Sequence, residues 1–239
     1  MVPDASLAEY VGGGDAELFK SVGNQLLGRF RQFCDLKPDE SVLEVGCGIG
    51  RVAIPLTQYL TTGKYVGFDI VPHGIEWCQR KITPRYPNFR FFVADVHNRH
   101  YHPQGRHSAS EYKFPFDDGT FDFVFLTSVF THMLPKDVEQ YATEIGRVLK
   151  SPGRCFCTAY VVSEEALAHL SDGTSLHPFV AYPEGHWAEI KENPEASVAY
   201  SDEFLASVFK RGGLTISETI SGEWWKNQTA QDALIVRKP

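Results

Sequence analysis

Two periods of apolar residues alternate along the chain. Phe19, Val22, Leu26, Phe30 and Phe33 recur three or four apart, which predicts an amphipathic helix that Asp15 caps and Pro38 closes. SVLEV (41–45) is a short apolar run ending in glycines and predicts a strand, and Arg51 to Leu60 predicts the helix after it, with Pro55 tolerated near its start. KYVGFDI (64–70) predicts a second strand, followed by a helix to about Ile82, and FRFFVAD (89–95) predicts a third strand. FDFVFLTSVF (121–130) is a fourth strand with its exit. Pro135 suits the first turn of a helix whose apolar stripe is Val138, Tyr141, Ala142, Ile145, Val148 and Leu149. SPGR (151–154) predicts a turn and CFCTAYVV (155–162) a fifth strand. Ser201 caps a helix through Phe204, Leu205, Val208 and Phe209 that Gly212 and Gly213 end. LTISETIS (214–221) and DALIVRK (232–238) are two late strands. Their ten-residue link is too short for a crossover helix, so they should pair antiparallel.

This alternation predicts an α/β fold with a mostly parallel sheet and helices on both faces. Two stretches depart from it. Residues 96–115 hold His97, His100, His102 and His107 with Gly and Pro, and predict a surface loop. Glu164 to Leu170 predicts a short helix, after which 171–200 loses periodicity and gains Pro, Gly, His and aromatic residues. A long irregular insertion in a compact domain is more often functional than accidental.

At 239 residues, 43% of them hydrophobic, the chain suits one domain over 1–239, with 1–38 as its N-terminal helical segment. A formal net charge of -7 repels phosphate backbones and argues against a nucleic-acid partner. Five cysteines, an odd number without framework spacing, predict buried reduced thiols. The four loop histidines show no i, i+4 spacing and no accompanying carboxylate pattern, so no metal is expected. The opening MVPDASLAEY lacks a basic segment followed by an apolar run, and no apolar run approaches the roughly 20 residues that span a bilayer. No membrane partner and a cytoplasmic location are therefore expected; the oligomeric state is left open.

The candidate chemistry sits at the strand ends. Glu44-Val45-Gly46-Cys47-Gly48-Ile49-Gly50-Arg51 forms the first βα turn, where glycines let the backbone approach a ligand and the next helix offers unpaired N–H groups. Asp69 ends the second strand, 21 residues after Gly48, and is placed to accept bonds from a ribose diol. Nicotinamide-binding domains share both features. In their fingerprint a third glycine falls five positions after the first, for close helix packing. Here that position is Arg51, and the third glycine comes one earlier, at Gly50. A second carboxylate, Asp95, ends the third strand, where an adenine amine can be bound.

In these segments the chain resembles the class I S-adenosylmethionine-dependent methyltransferases, in particular the bacterial small-molecule type. VLEVGCGIGR (42–51), YVGFDI (65–70), FFVADV (91–96), FPFDDGTFDFVFLTSVFTHM (114–133) and EIGRVLKSPGR (144–154) carry the likeness. It implies a seven-stranded sheet in the order 3-2-1-4-5-7-6 with strand 7 antiparallel. It implies S-adenosylmethionine as cofactor and S-adenosylhomocysteine as product. Glu44, Gly46 and Gly48 would line the methionine part, with Arg51 near its carboxylate. Asp69 and the adjoining Ile70 would hold the ribose end, Asp95 and the backbone of Val96 the adenine, and Thr127 and Ser128 would flank the sulfonium. The Asn/Asp-Pro-Pro-Tyr/Phe signature of base-directed amino methyltransferases is missing: Leu126-Thr127-Ser128-Val129 stands in its place. The acceptor expected is a hydroxyl, carboxylate or amine of a small molecule. His132, just past the fourth strand, is the candidate base. Residues 171–200, with His177, Phe179, Tyr182, His186, Trp187 and Tyr200, are the candidate lid, and Trp224, Trp225 and Asp232 border the last hairpin near the pocket. The competing readings are a catalytically silent S-adenosylmethionine-binding sensor or partner subunit and, less favoured, a nicotinamide-dependent oxidoreductase.

Overall fold

The structure, a computed structural model, describes residues 15–99, 101–227 and 230–239. The first fourteen residues of the predicted N-terminal segment, and His100 of the histidine loop, lie outside them. Helix α1 (Ala16–Cys34) starts where Asp15 accepts the N–H groups of Glu17 at 2.8 Å and Leu18 at 2.7 Å. Then come β1 (Ser41–Val45), α2 (Ala53–Tyr59), β2 (Lys64–Asp69), α3 (Pro72–Lys81), β3 (Phe89–Val93) and β4 (Phe121–Leu126). After them follow α4 (Pro135–Val148), β5 (Leu149–Val162), α5 (Glu164–Asp172), β6 (Val180–Tyr182), β7 (His186–Ala188) and β8 (Val198–Ser201). Helix α6 (Asp202–Arg211), which Ser201 caps, β9 (Thr215–Ile220) and β10 (Asp232–Lys238) complete the chain.

Strands β3-β2-β1-β4-β5 run parallel, β10 lies antiparallel on β5, and β9 lies antiparallel on β10. These seven strands have the expected order, and the reversed one is the last in sequence. The sheet is larger than expected, however, with ten strands among the described residues in place of seven. The reason is the length of β5. Its Gly153 to Ala159 pair with β10, and Tyr160 to Val162 continue past that partner. The open edge left there is taken by β8 in parallel, and β7 and β6 follow antiparallel. The expected irregular insertion thus contributes three strands, each of three or four residues and too short to produce a periodic signal.

Alternation along the central strands builds a core on each face. Val124 and Leu126 face the side covered by α4 and α6, while Phe123 and Phe125 face α1, α2 and α3. Phe30 of α1 anchors the second side, its ring 5.2 Å from Phe123, 4.6 Å from Phe125 and 5.0 Å from Phe156. A third, smaller cluster joins Tyr160, Phe179, Trp224 and Trp225 where the sheet branches. All five cysteines are buried free thiols. No helix among the described residues is long and apolar enough to cross a membrane.

Phe30 is fully buried, whereas Leu18 on the same helix is 47% exposed. Phe30→Ala should cost about 3–5 kcal/mol of unfolding free energy, and Leu18→Ala no more than about 0.5 kcal/mol. Urea denaturation of the two variants checks this; equal losses would mean that α1 is not packed on the sheet as described.

Candidate active site

A cleft of about 400 Å³ opens at the carboxyl ends of β1, β2 and β4, where open α/β sheets bind ligands. Its floor is the turn after β1. Gly46, Gly48 and Gly50 all take positive φ, at 77°, 53° and 76°. A Cβ on Gly46 would stand 2.4 Å from Val129 Cγ2, so conformation and space both demand glycine there. The N–H groups of Gly46 and Cys47 donate to the Phe68 carbonyl at 2.9 and 3.0 Å. Gly48 N–H donates to Asp69 Oδ2 at 2.7 Å, and Val71 N–H to Asp69 Oδ1 at 2.9 Å. Burial raises the Asp69 pKa, and these backbone bonds oppose the rise.

Glu44 lies beneath the turn, 2% exposed, accepting the Tyr65 hydroxyl. Burial pushes its carboxyl up to about 8, against the Tyr65 bond and the nearby Arg51 charge. Arg51, Ile70 and Val96 line the cleft as expected. The Val96 N–H is used internally, donating to Ala94 O at 2.8 Å. Asp95 is not brought into the cleft lining. Its carboxylate turns to Arg106, accepting that residue's guanidinium and its backbone N–H at 3.1 Å, and these bonds hold its pKa below the usual range. Backbone direction explains the split: neighbours along an extended segment face opposite ways, so Val96 faces the cleft and Asp95 the loop.

Beyond β4 the chain turns through Thr127 and Ser128, the latter at φ 56°, into a single 3-10 turn, Phe130–His132. Thr127, Ser128 and His132 all line the cleft. Ser128 N–H donates to Thr158 Oγ1 at 2.9 Å, and both hydroxyls converge on Gln231 Oε1, at 2.6 Å from Thr158 and 3.3 Å from Ser128. Gln231, which also lines the cleft, is a residue that the sequence reading missed. No local motif marks it: the pairing of Asp232 with Ala159 across β10 and β5 carries it there. Tyr101, Asp137, Tyr141 and Glu195 were missed too, and line the part of the cleft near His132. His132 Nδ1 lies 3.3 Å from the Glu195 carbonyl oxygen, and the Tyr101 ring meets the imidazole at 5.3 Å and 77°.

The candidate lid aromatics go elsewhere. His177 and Phe179 pack with Tyr160 and Trp224. Tyr182 stacks on His186, Trp187 packs on the third cluster, and the buried Tyr200 hydroxyl donates to Met133 O. The border residues are structural as well. Trp224 Nε1 donates to Val161 O at 3.1 Å, Trp225 is buried in the same cluster, and Asp232 accepts Val161 N–H and Gly222 N–H, each at 2.8 Å. From 171–200, Glu195 is the residue that reaches the cleft.

The raised pKa of Glu44 predicts a pH effect. Between its ordinary 4.5 and about 8, the folded protein holds a proton that the unfolded chain has released. Stability from this group is therefore lost as pH rises through that window, by up to about 1.4 kcal/mol per pH unit. Glu44→Gln, which keeps an acceptor for Tyr65, should flatten the dependence in urea titrations across it. An unchanged slope would show that Glu44 is ionised in the folded protein.

A family described as "Methyltransferase domain" matches residues 43–157. The phthiotriol/phenolphthiotriol dimycocerosates methyltransferase of Mycobacterium tuberculosis is 32% identical over 114 residues, covering 48% of this chain and 35% of that protein. The chain thus spans about a third of the length of this relative. Among solved structures, the PH0226 protein of Pyrococcus horikoshii is 20% identical with a TM-score of 0.64, over 94% of this chain and 92% of its own. The 1,6-didemethyltoxoflavin-N1-methyltransferase of Burkholderia thailandensis, solved with 1,6-didemethyltoxoflavin and S-adenosylhomocysteine bound, is 16% identical with a TM-score of 0.59, over 98% and 85%. At such identities the two structures share the fold. The matched segment runs from β1 into β5 and so includes the glycine turn, Asp69 and His132; residues 43–157 thus carry the likeness to a methyltransferase domain, set in a sheet of the expected order.

Proposed function

We propose that the protein transfers a methyl group from S-adenosylmethionine to a hydroxyl, carboxylate or amine of a small molecule. The observation that carries this reading is that one cleft joins the glycine turn and Asp69 to a histidine at the exit of β4. The residues fit the cofactor. Asp69 accepts the N–H of Gly48 on one oxygen and that of Val71 on the other, and a carboxylate, with about four lone-pair sites, can also accept a ribose hydroxyl. Gly46 and Gly48 give the methionine part close backbone approach over Glu44, with Arg51 beside it. Ile70 and Val96 bound the nucleoside end, and Thr127 and Ser128 stand where the sulfonium is expected. Asp95, tied to Arg106, supports the loop in this reading and leaves the adenine edge to the segment from Val96 onward.

When bound, S-adenosylmethionine supplies a methyl group on a positively charged sulfur, open to in-line displacement. The work left to the protein is alignment and the handling of one proton. His132 takes the proton of a hydroxyl or ammonium acceptor; a carboxylate acceptor needs no base. The mycobacterial relative and the Burkholderia neighbour are named for different acceptors, so neither chooses one for this chain.

Asp69→Ala should weaken S-adenosylhomocysteine binding by more than about 1 kcal/mol, read by calorimetry. Because Asp69 also holds Gly48 and Val71, Asp69→Asn is the companion variant that keeps one acceptor. Unchanged affinity in both would remove the ribose assignment, and tight binding of a nicotinamide dinucleotide would favour the oxidoreductase reading. His132→Ala should lower turnover by roughly 100-fold or more with cofactor affinity nearly intact. His132→Gln keeps a hydrogen-bonding group without a titratable ring, so near-normal turnover in that variant would make His132 an orienting group and not a base.

A further inference from the structure

We infer that the 190–196 turn of the insertion is a positioning element for His132, selecting which ring nitrogen carries the proton, and that Arg99 and Glu195 hold the turn in place. The inference rests on the proposed role of His132 as base, and extends it to Arg99 and to the 190–196 turn, which lies outside the matched segment 43–157.

A backbone carbonyl oxygen has lone pairs and no proton, so at 3.3 Å from Glu195 O the Nδ1 atom must be the donor. A neutral imidazole has one N–H. The contact therefore selects the Nδ1–H tautomer and leaves the proton-accepting lone pair on Nε2. This is how a neutral histidine is prepared to take a proton: its second nitrogen is held by a group that only accepts.

The carbonyl is delivered over a long sequence distance, 63 residues beyond His132. The turn rests at one side on β7 and β8, through Glu189 N–H to Ser197 O at 3.2 Å. Its other support comes from the loop after β3. Arg99 N–H donates to Glu195 Oε2 at 3.3 Å, and Arg99 Nη1 donates to the Glu192 carbonyl at 3.0 Å. Two residues further along that loop, Tyr101 packs edge-on against the His132 ring. Asn98 Nδ2 donates to the His132 carbonyl at 3.5 Å. The same loop thus braces the imidazole directly and clamps the turn that orients it. The three extra strands gain a physical reason in this arrangement: they are the frame from which the turn reaches the cleft.

The test uses the full chain labelled with ¹⁵N in its histidine rings, at a mildly alkaline pH. Two-bond ¹H–¹⁵N correlation spectra identify the tautomer, and the His132 signals are assigned by their loss in His132→Gln. The wild type should show Nδ1–H. Arg99→Ala combined with Glu195→Ala removes both side-chain anchors of the turn. It should shift the ring toward Nε2–H and lower turnover by roughly tenfold or more, with cofactor affinity unchanged. Arg99→Lys, which keeps a cationic donor, should retain the Nδ1–H pattern. An Nε2–H wild type overturns the inference, as does a double variant that keeps the wild-type pattern. Should the double variant fail to fold, the wild-type spectrum and the single Arg99→Ala variant decide on the same terms. If the tautomer shifts as expected while His132→Ala retains full turnover, the base reading falls and the positioning of the ring stands.

Discussion

Asp69 accepts the N–H of Gly48 from one loop and that of Val71 from the next, and the geometry of the cleft depends on this pair of bonds. The turn after β1 takes three positive φ angles in five residues, a path that costs conformational entropy and forms few bonds of its own. A carboxylate at the end of the neighbouring strand supplies what the turn lacks. The parallel pairing of β1 with β2 puts it within reach, because Val45 stands beside Phe68 and both strands end on one level. Burial of that carboxylate is costly by itself and is offset by the backbone donors it collects. The arrangement leaves acceptor capacity facing the cleft, so the group that braces the loop is also equipped to hold a ligand.

The second determinant is the length of β5. Along one edge, this strand of fourteen residues serves two partners: β10 from Gly153 to Ala159 and β8 from Tyr160 to Val162. Where they part, Trp224 and Asp232 bond to Val161 and close the fork with buried, satisfied polar groups. Gln231, just before β10, then faces Thr158 and Ser128 across the fork. The cleft wall at the exit of β4 is therefore built by residues more than 70 positions apart.

The aromatic residues of the insertion illustrate how composition can mislead about role. Rings in a Pro- and Gly-rich segment suggest a cover for an apolar ligand. In the fold His177 and Phe179 pack against Tyr160 and Trp224 in a small core, Trp187 packs on that cluster, Tyr182 stacks on His186, and Tyr200 joins the main core. A strand pair projecting from the sheet edge has to bury its apolar face somewhere, and here that need consumes the rings. What remains for the cleft is a polar turn carrying Glu195.

Much of the frame was legible in the chain. Alternating periods of apolar residues, with glycine and proline at the boundaries, determined the order of helices and strands, because burial on one face imposes a period whatever the partner. The short late link determined that the last two strands pair antiparallel. Glycine spacing and the acids Glu44 and Asp69 marked the cleft, since a turn at a strand end places its residues locally. Three things were decided by tertiary structure. The branching of β5 depends on an open edge that no periodicity records. The turning of Asp95 toward Arg106 depends on which face of one extended segment the loop covers. The setting of His132, held by Asn98 and Tyr101 from one side and Glu195 from the other, depends on contacts between segments distant in sequence. Local patterns carry information about local geometry; the surroundings of a side chain brought together over long range are set by packing, which a linear pattern does not contain.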